Sequence, residues 1–332
     1  MPQAEERAAP PHRLCGRHRR CPGARLRLED LRRGELVRDV RRTPLPHHPG
    51  EPDRRPVRGT RDRPARASRR GGPVNARDFS PEVREALQRL ILSLADTKRM
   101  LGIRYSDWLL GAPSIESGIA TASMSQDEWG HARLLYAMLK DFGVDPVEVE
   151  HSRPPAEYCS ASCLDEPFAD WAAVVAGVVV VDGTLSLALE GFATGAYDAA
   201  RRRIPKMLAE EAFHRDFGQA WMRRISEGSE EGRELLADAV ESMLSDAVTC
   251  LLPGDDEAEL LAGAEVKGQP GDARARLARR LAEPLAALGM VPATDPPLPG
   301  DWIASRRRPA GEPAGDAVER ARGDRNRALF VE

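Results

Sequence analysis

Two Glu-x-x-His pairs stand more than eighty residues apart in this chain. The first, Glu128/His131, lies in Ser125-Gln126-Asp127-Glu128-Trp129-Gly130-His131; the second, Glu211/His214, lies in Glu210-Glu211-Ala212-Phe213-His214. On a helix this spacing sends carboxylate and imidazole off one face. Both pairs also sit inside apolar stripes: Thr121, Met124, Glu128, His131, Leu135 and Met138 around the first, and Ile204, Met207, Glu211, His214, Gly218 and Trp221 around the second. Ligand-type residues therefore occupy positions that face a helical core, where a lone charge is expensive. One such pair is common by chance. Two in core register constrain the chain to a helical bundle with a polar centre, and two more inward carboxylates from other helices would complete a carboxylate-bridged di-metal site.

From Ser80 onward the pattern is helical, with no strand pattern and no internal repeat. Ser80-Pro81 reads as an N-cap followed by proline at the first helical position. The first helix carries the stripe Leu87, Ile91, Leu94, Lys98, Leu101, Tyr105 and stops at Gly111-Ala112-Pro113. Ser114 caps a second helix ending at Gly143. After a loop of some twenty residues, a third helix starts near Phe168, is apolar nearly all round, and ends at Gly195. A fourth is expected from about Pro205 to Gly228, a fifth over 229–252, an acidic loop after Pro253-Gly254, and a sixth over 272–288. The chain from 292 to 332 reads as a mostly irregular tail with Trp302 as its anchor.

Asp182 interrupts the most apolar helix, in the series Val175, Val178, Asp182, Leu185, Leu189, and asks for a partner; Glu190 competes two turns away. The first helix is less simple. Its stripe position level with Glu128 holds Lys98, and the nearest acid, Asp96, is about 200° round the helix. Two arrangements follow. Either the Lys98 ammonium points among the carboxylates and replaces a metal ion, or Lys98 snorkels outward and Asp96 reaches in as the remaining metal ligand.

Composition bears mainly on the first 73 residues, which hold 20 Arg, nine acidic residues and no aromatic residue. So little apolar content does not offset the entropy of ordering, and residues 1–76 are expected to form a disordered leader, either a basic tail or upstream sequence read from an early start codon. The ordered domain is expected over 77–291. The longest apolar run, Ala172 to Val181, falls short of the about 18 residues a membrane span needs, so no membrane partner is expected, and no nucleic-acid partner either. Five scattered cysteines fit a reduced, cytoplasmic protein; a zinc site at Cys159, Cys163 and His151 is the sharper but weaker reading. The run Arg201-Arg202-Arg203 with Lys206 reads as a solvated basic turn or, more sharply, as a contact for CoA phosphates.

With these residues in place, the chain resembles the phenylacetyl-CoA epoxidase (phenylacetic acid catabolic) family of ferritin-like helical proteins. The resemblance runs from about Leu92 to Met290 and is carried by QDEWGH, by WAAVVAGVVVVDG (Trp171 to Gly183), by EEAFH, by LLPGDD and by LGMVP. It implies an all-α, ferritin-like four-helix bundle with added C-terminal helices. It also implies that Glu128, His131, Asp182, Glu211 and His214 hold two irons, with manganese or a mixed pair as alternatives, Glu128 and Glu211 taking the catalytic bridging roles. The chemistry implied is insertion of oxygen from O2 into a CoA thioester or aromatic acid derivative. Related helical subunits and a separate reductase would be the partners, since no nucleotide fingerprint or iron–sulfur cysteine pattern is present. Asp127 and Glu210 either orient the histidines or belong to a solvated, salt-bridged surface. The departure is Lys98, where the catalytic subunits carry a glutamate. At LADTKRMLGIRYSDW the chain is more similar to the non-catalytic partner subunit of that family. Two other functions stay open: a non-catalytic scaffold in which Lys98 replaces metal, and a ferritin-like oxidase or metal-handling protein.

Overall fold

The structure, a computed structural model, describes residues 73–267 and 273–324. The expected leader lies outside the described residues except for its end. Val74 pairs with Tyr197, its carbonyl accepting from Asp198 N at 3.0 Å, and Ala76 is fully buried, so the folded body begins a few residues earlier than composition indicates.

The protein is an all-α, ferritin-like bundle. Helix α1 (Pro81–Ser106) starts where expected, with Ser80 Oγ accepting from Val83 N, and pairs along its length with α2 (Ile115–Tyr136), capped by Ser114. A 3-10 turn extends α2 to Phe142, and Gly143 ends it in the left-handed region at φ 81°. The short α3 (Pro146–His151) opens the long loop. The apolar helix follows as α4 (Trp171–Ala176), a π-helical segment (Gly177–Asp182) and α5 (Gly183–Ala193). It is long and apolar enough to cross a membrane by composition, but 83% of its most apolar window is buried by the other helices, so it is the core helix. Helix α6 (Asp198–Ser226) runs beside α5 and completes the four-helix layer, and α7 (Glu230–Leu251) packs on α4.

Three expectations about element boundaries need correction. Helix α6 begins seven residues before Pro205 and carries that proline inside it; Arg202 pairs with Asp198 and Arg201 donates to it across the first turn, which offsets part of the cost of the missing amide. The acidic stretch after Gly254 is helix α8 (Asp255–Gly263), because three acids in its first turn complement the helix dipole. Beyond α9 (Ala273–Ala286) the tail is not loose. It crosses back over the bundle, anchored by buried Arg307 and Arg308 rather than by Trp302, and ends in α10 (Gly315–Arg322) against α1. Arg308 pairs with Asp165 and donates to Ser160 O; Arg307 donates to Cys250 O and Leu252 O. A hydrophobicity pattern does not register a strap held by guanidinium groups on backbone carbonyls.

Candidate functional site

The middle of the four-helix layer is polar, and every helix contributes to it. Helix α1 supplies Lys98 and Tyr105, α2 supplies Glu128 and His131, the π segment supplies Asp182, and α6 supplies Glu211 and His214; all seven are buried. The π segment widens the core helix by one residue in its turn just before Asp182, a distortion that helices use mostly where a side chain must be re-aimed. Gly218 makes room for it, since a Cβ there would come within 2.7 Å of Val178 Cγ1.

The Lys98 ammonium sits among the three carboxylates. Nζ donates to Glu128 Oε1 at 2.9 Å, to Asp182 Oδ1 at 2.7 Å and to Glu211 Oε1 at 2.5 Å. Of the two directions open to the Lys98 side chain, this is the inward one. Asp96 is therefore corrected as a metal-ligand candidate: it faces away from the cluster and is taken up by Arg153, Tyr136 and the backbone amide of Cys159. Its two-residue offset from Lys98 is too far round the helix for both to enter one site. Glu190 is likewise outside, paired with Arg276 and Arg280 of α9.

The two histidines are held crosswise. His131 Nε2 lies 2.9 Å from Glu210 Oε2, and His214 Nε2 lies 3.3 Å from Asp127 Oδ2, so the acid preceding each motif's glutamate orients the histidine of the other motif. Their inner nitrogens face the carboxylates: His214 Nδ1 is 2.8 Å from Asp182 Oδ2 and 3.3 Å from Glu128 Oε1. His131 Nδ1 is 2.9 Å from Glu211 Oε1, close enough for attraction but out of line for a hydrogen bond. Sequence reading missed two participants. Tyr105 OH donates to Asp182 Oδ2 at 3.4 Å, and Ser186 Oγ donates to Glu211 Oε2 at 3.1 Å. Tyr105 stands in the same stripe as Lys98, which is the signal that could have found it.

Electrostatics follow from this crowding. Burial disfavours the Lys98 ammonium, but Asp182, Glu128 and Glu211 more than offset it and hold its pKa well above the ordinary value. Burial also opposes the His214 imidazolium, which Asp182 and Glu128 nevertheless raise to about 11. For His131 the same contest with burial, won by Glu211 and Glu128, leaves a raised pKa. Asp182 resists burial because Lys98 and His214 hold it below the usual carboxylate range. Glu211 gives way: burial and the charges of Asp182 and Glu128 push it to about 7. Glu128 Oε2 is buried with no hydrogen-bond partner.

Among the described residues, Glu128, Asp182, Glu211 and His214 form the set able to hold a metal ion, with one ligand atom from each lying within 4.8 Å of the others. A cavity of ≈ 70 Å³, walled by Val178, Val179 and Leu281, opens onto three of them: Asp182, Glu211 and His214. The zinc reading of Cys159, Cys163 and His151 finds no support: among the described residues these three do not form a group able to hold a metal, and His151 Nδ1 faces Arg322 O. The basic turn is spent on neighbours, Arg201 and Arg202 on Asp198 and Lys206 on Glu210.

Two comparisons bear on this geometry. A family model described as phenylacetic acid catabolic protein matches residues 73–299. One of the subunits of the 1,2-phenylacetyl-CoA epoxidase of Escherichia coli (strain K12) is 24% identical over 186 residues, covering 55% of this chain and 60% of that protein. The aligned part is thus less than two thirds of that relative's length.

Proposed function

The chain belongs to the phenylacetic acid catabolic protein family, and from that premise we propose that it is a component of a phenylacetyl-CoA epoxidase-type assembly whose carboxylate cluster is closed by Lys98 instead of a metal pair. The observation that carries this reading is the Lys98 ammonium in contact with Glu128, Asp182 and Glu211 at once. Two divalent ions need about four carboxylates for balance in a dry site. Here the position that would supply the fourth holds a cation, so a metal pair would leave the centre strongly positive at a large desolvation cost. A di-iron centre does not fit the residues present. Lys98 instead ties α1 to α2, the core helix and α6 by one ammonium. On this reading Glu128 and Glu211 are ion-pair partners and not catalytic groups, and oxygen insertion belongs to a related helical subunit supplied with electrons by a separate reductase.

One observation favours a second reading. The unpartnered Glu128 Oε2 is an open lone pair beside a four-residue ligand set, and one divalent ion together with the ammonium would balance three carboxylates. Glu128, Asp182, Glu211 and His214 would hold that ion, iron or manganese, which would supply dioxygen activation. Asp127 and Glu210 would keep the histidines oriented, and the cavity beside Asp182 has room for a group the size of dioxygen next to the ion. Metal analysis of the purified chain, expressed with iron in excess, separates the readings. We expect well under one ion per chain in the wild type and a rise toward two in Lys98→Glu, which restores the missing carboxylate. A full metal pair in the wild type would overturn the Lys98 reading.

A further inference from the structure

Glu190 stands outside the Lys98 cluster but lines the cavity that opens onto it. From the core helix its carboxylate takes Arg276 on one oxygen and Arg280 on the other, both from α9. Arg280 also donates from Nη1 to Gly183 O at 3.3 Å, on the residue next to Asp182. One acid thus fastens α9 across the cavity, and it is partly exposed, so water competes for both pairs.

Little else holds α9 down. Its buried stripe is Leu277, Leu281, Pro284 and Leu285, packed toward α5 and α6, and none of its other residues is buried. The helix is also weakest where it covers the cavity. Pro284 has no amide to give to Arg280 O one turn back, so the turn carrying both of these cavity-lining residues lacks a backbone bond. A helix bends most readily at such a proline. The facing wall is fixed by contrast: Val178 and Val179 are buried in the core helix, close against Gly218. Charge also grades along the cavity. Asp182 and Glu211 are buried, whereas Arg215 and Arg280 reach solvent and mark its outer end. A cation entering past the closed helix therefore meets guanidinium before carboxylate.

We propose that α9 is a latched cover, with Glu190 as its catch and Pro284 as its bend, whose opening admits water and small cations to the carboxylate cluster. Opening breaks both Glu190 pairs and withdraws Arg280 from the mouth together. The inference holds whether protons or a metal ion balance the acid within.

The test places a thiol in the fixed wall, Val179→Cys in the full chain, and follows its reaction with a small cationic methanethiosulfonate by peptide mapping. Cys250, fully buried against Ser93 of α1, is the internal reference for general loosening. Reaction from a transiently open state follows the open population, so Glu190→Gln should speed the introduced thiol about tenfold and leave Cys250 unchanged. The paired change Arg276→Gln with Arg280→Gln should do the same from the other side of the latch. Pro284→Ala restores the backbone bond and should slow the reaction below that of the Val179→Cys parent. A rate indifferent to Glu190→Gln and to the arginine pair, a Cys250 rate that rises in step, or a Pro284→Ala rate no lower than the parent's would each overturn the proposal.

Discussion

Asp96 and Lys98 are two residues apart on α1, both fully buried, and they enter two different charge clusters on opposite sides of the helix. Asp96 accepts from Tyr136 OH at 2.6 Å, from Arg153 at 2.5 and 3.0 Å, and from Cys159 N at 2.8 Å. One carboxylate meets one guanidinium, and both its oxygens are used. The Lys98 cluster has three carboxylates, one ammonium, two histidines, an unpartnered glutamate oxygen and a cavity at its edge. The first network is closed and pins the loop after α3 to the bundle. The second carries surplus acid, which protons or a metal ion must balance. A buried ion pair built only for structure does not need that surplus, and this difference separates a fastening from a site.

The sharpest way to break the comparison is to remove one member from each side. Asp96→Ala strands the Arg153 guanidinium, which cannot shed its proton, and should cost about 4–5 kcal/mol at any pH between about 5 and 8. Lys98→Met strands carboxylates, which can take up protons, Glu211 most readily at about 7. Its cost should be smaller, about 3 kcal/mol near pH ~8, and should shrink by about pH 5. Denaturant unfolding of both variants at the two pH values checks this. Equal and pH-independent losses would mean the two clusters are of one kind.

How much of this was legible in the sequence depends on what each feature is made of. The bundle was legible because a 3.6-residue stripe leaves a repeating mark, and Glu128, His131, Asp182, Glu211 and His214 were legible because each is polar in an otherwise apolar row. Lys98 stood out for the same reason, but its direction did not, since a lysine stem allows both inward and outward placement. Asp96 was misplaced because its true partner, Arg153, lies in a loop without periodicity. Helix α8 and the arginine strap from Arg306 to Arg308 were hidden because a dipole and backbone carbonyls hold them, and neither appears in a hydrophobicity pattern.

The surplus acid also makes wild-type stability depend on pH in a stated direction. Glu211, raised to about 7, is held protonated by the fold more than by the unfolded chain; that contribution is present below about pH 4.5 and lost as pH rises through 7. His214, raised to about 11, contributes fully below its unfolded value near 6.5 and loses its share as pH climbs toward 11. Both act in the same sense, so the folding free energy should fall by several kcal/mol between about pH 5 and 8.5. Asp182 works oppositely, but only in acid, below the ordinary range of an aspartate. In Lys98→Glu saturated with divalent metal, the fall should flatten, because the ions replace the protons. An unchanged slope would show that the cluster is not what titrates.

The finest test uses a matched pair of tyrosines. Tyr136 donates to Asp96 in the closed network at 2.6 Å, and Tyr105 donates to Asp182 in the open one at 3.4 Å; both rings are fully buried. Burial together with the neighbouring carboxylate raises both phenol pKa values well above the ordinary one, so each hydroxyl is a donor across the working pH range. A hydrogen bond to a charged acceptor contributes about 1.5–3 kcal/mol when short, and a long one less. Tyr136→Phe should therefore cost about 2 kcal/mol and Tyr105→Phe about 0.5–1 kcal/mol, with no cavity larger than one oxygen in either case. The order carries the meaning. Each carboxylate keeps other partners when its phenol is lost, Asp182 with Lys98 and His214 and Asp96 with Arg153 and Cys159 N, so the length of the lost bond sets the order. If Tyr105→Phe proved the costlier change, Asp182 would depend on its phenol as Asp96 does, and the Lys98 cluster would be a fastening after all.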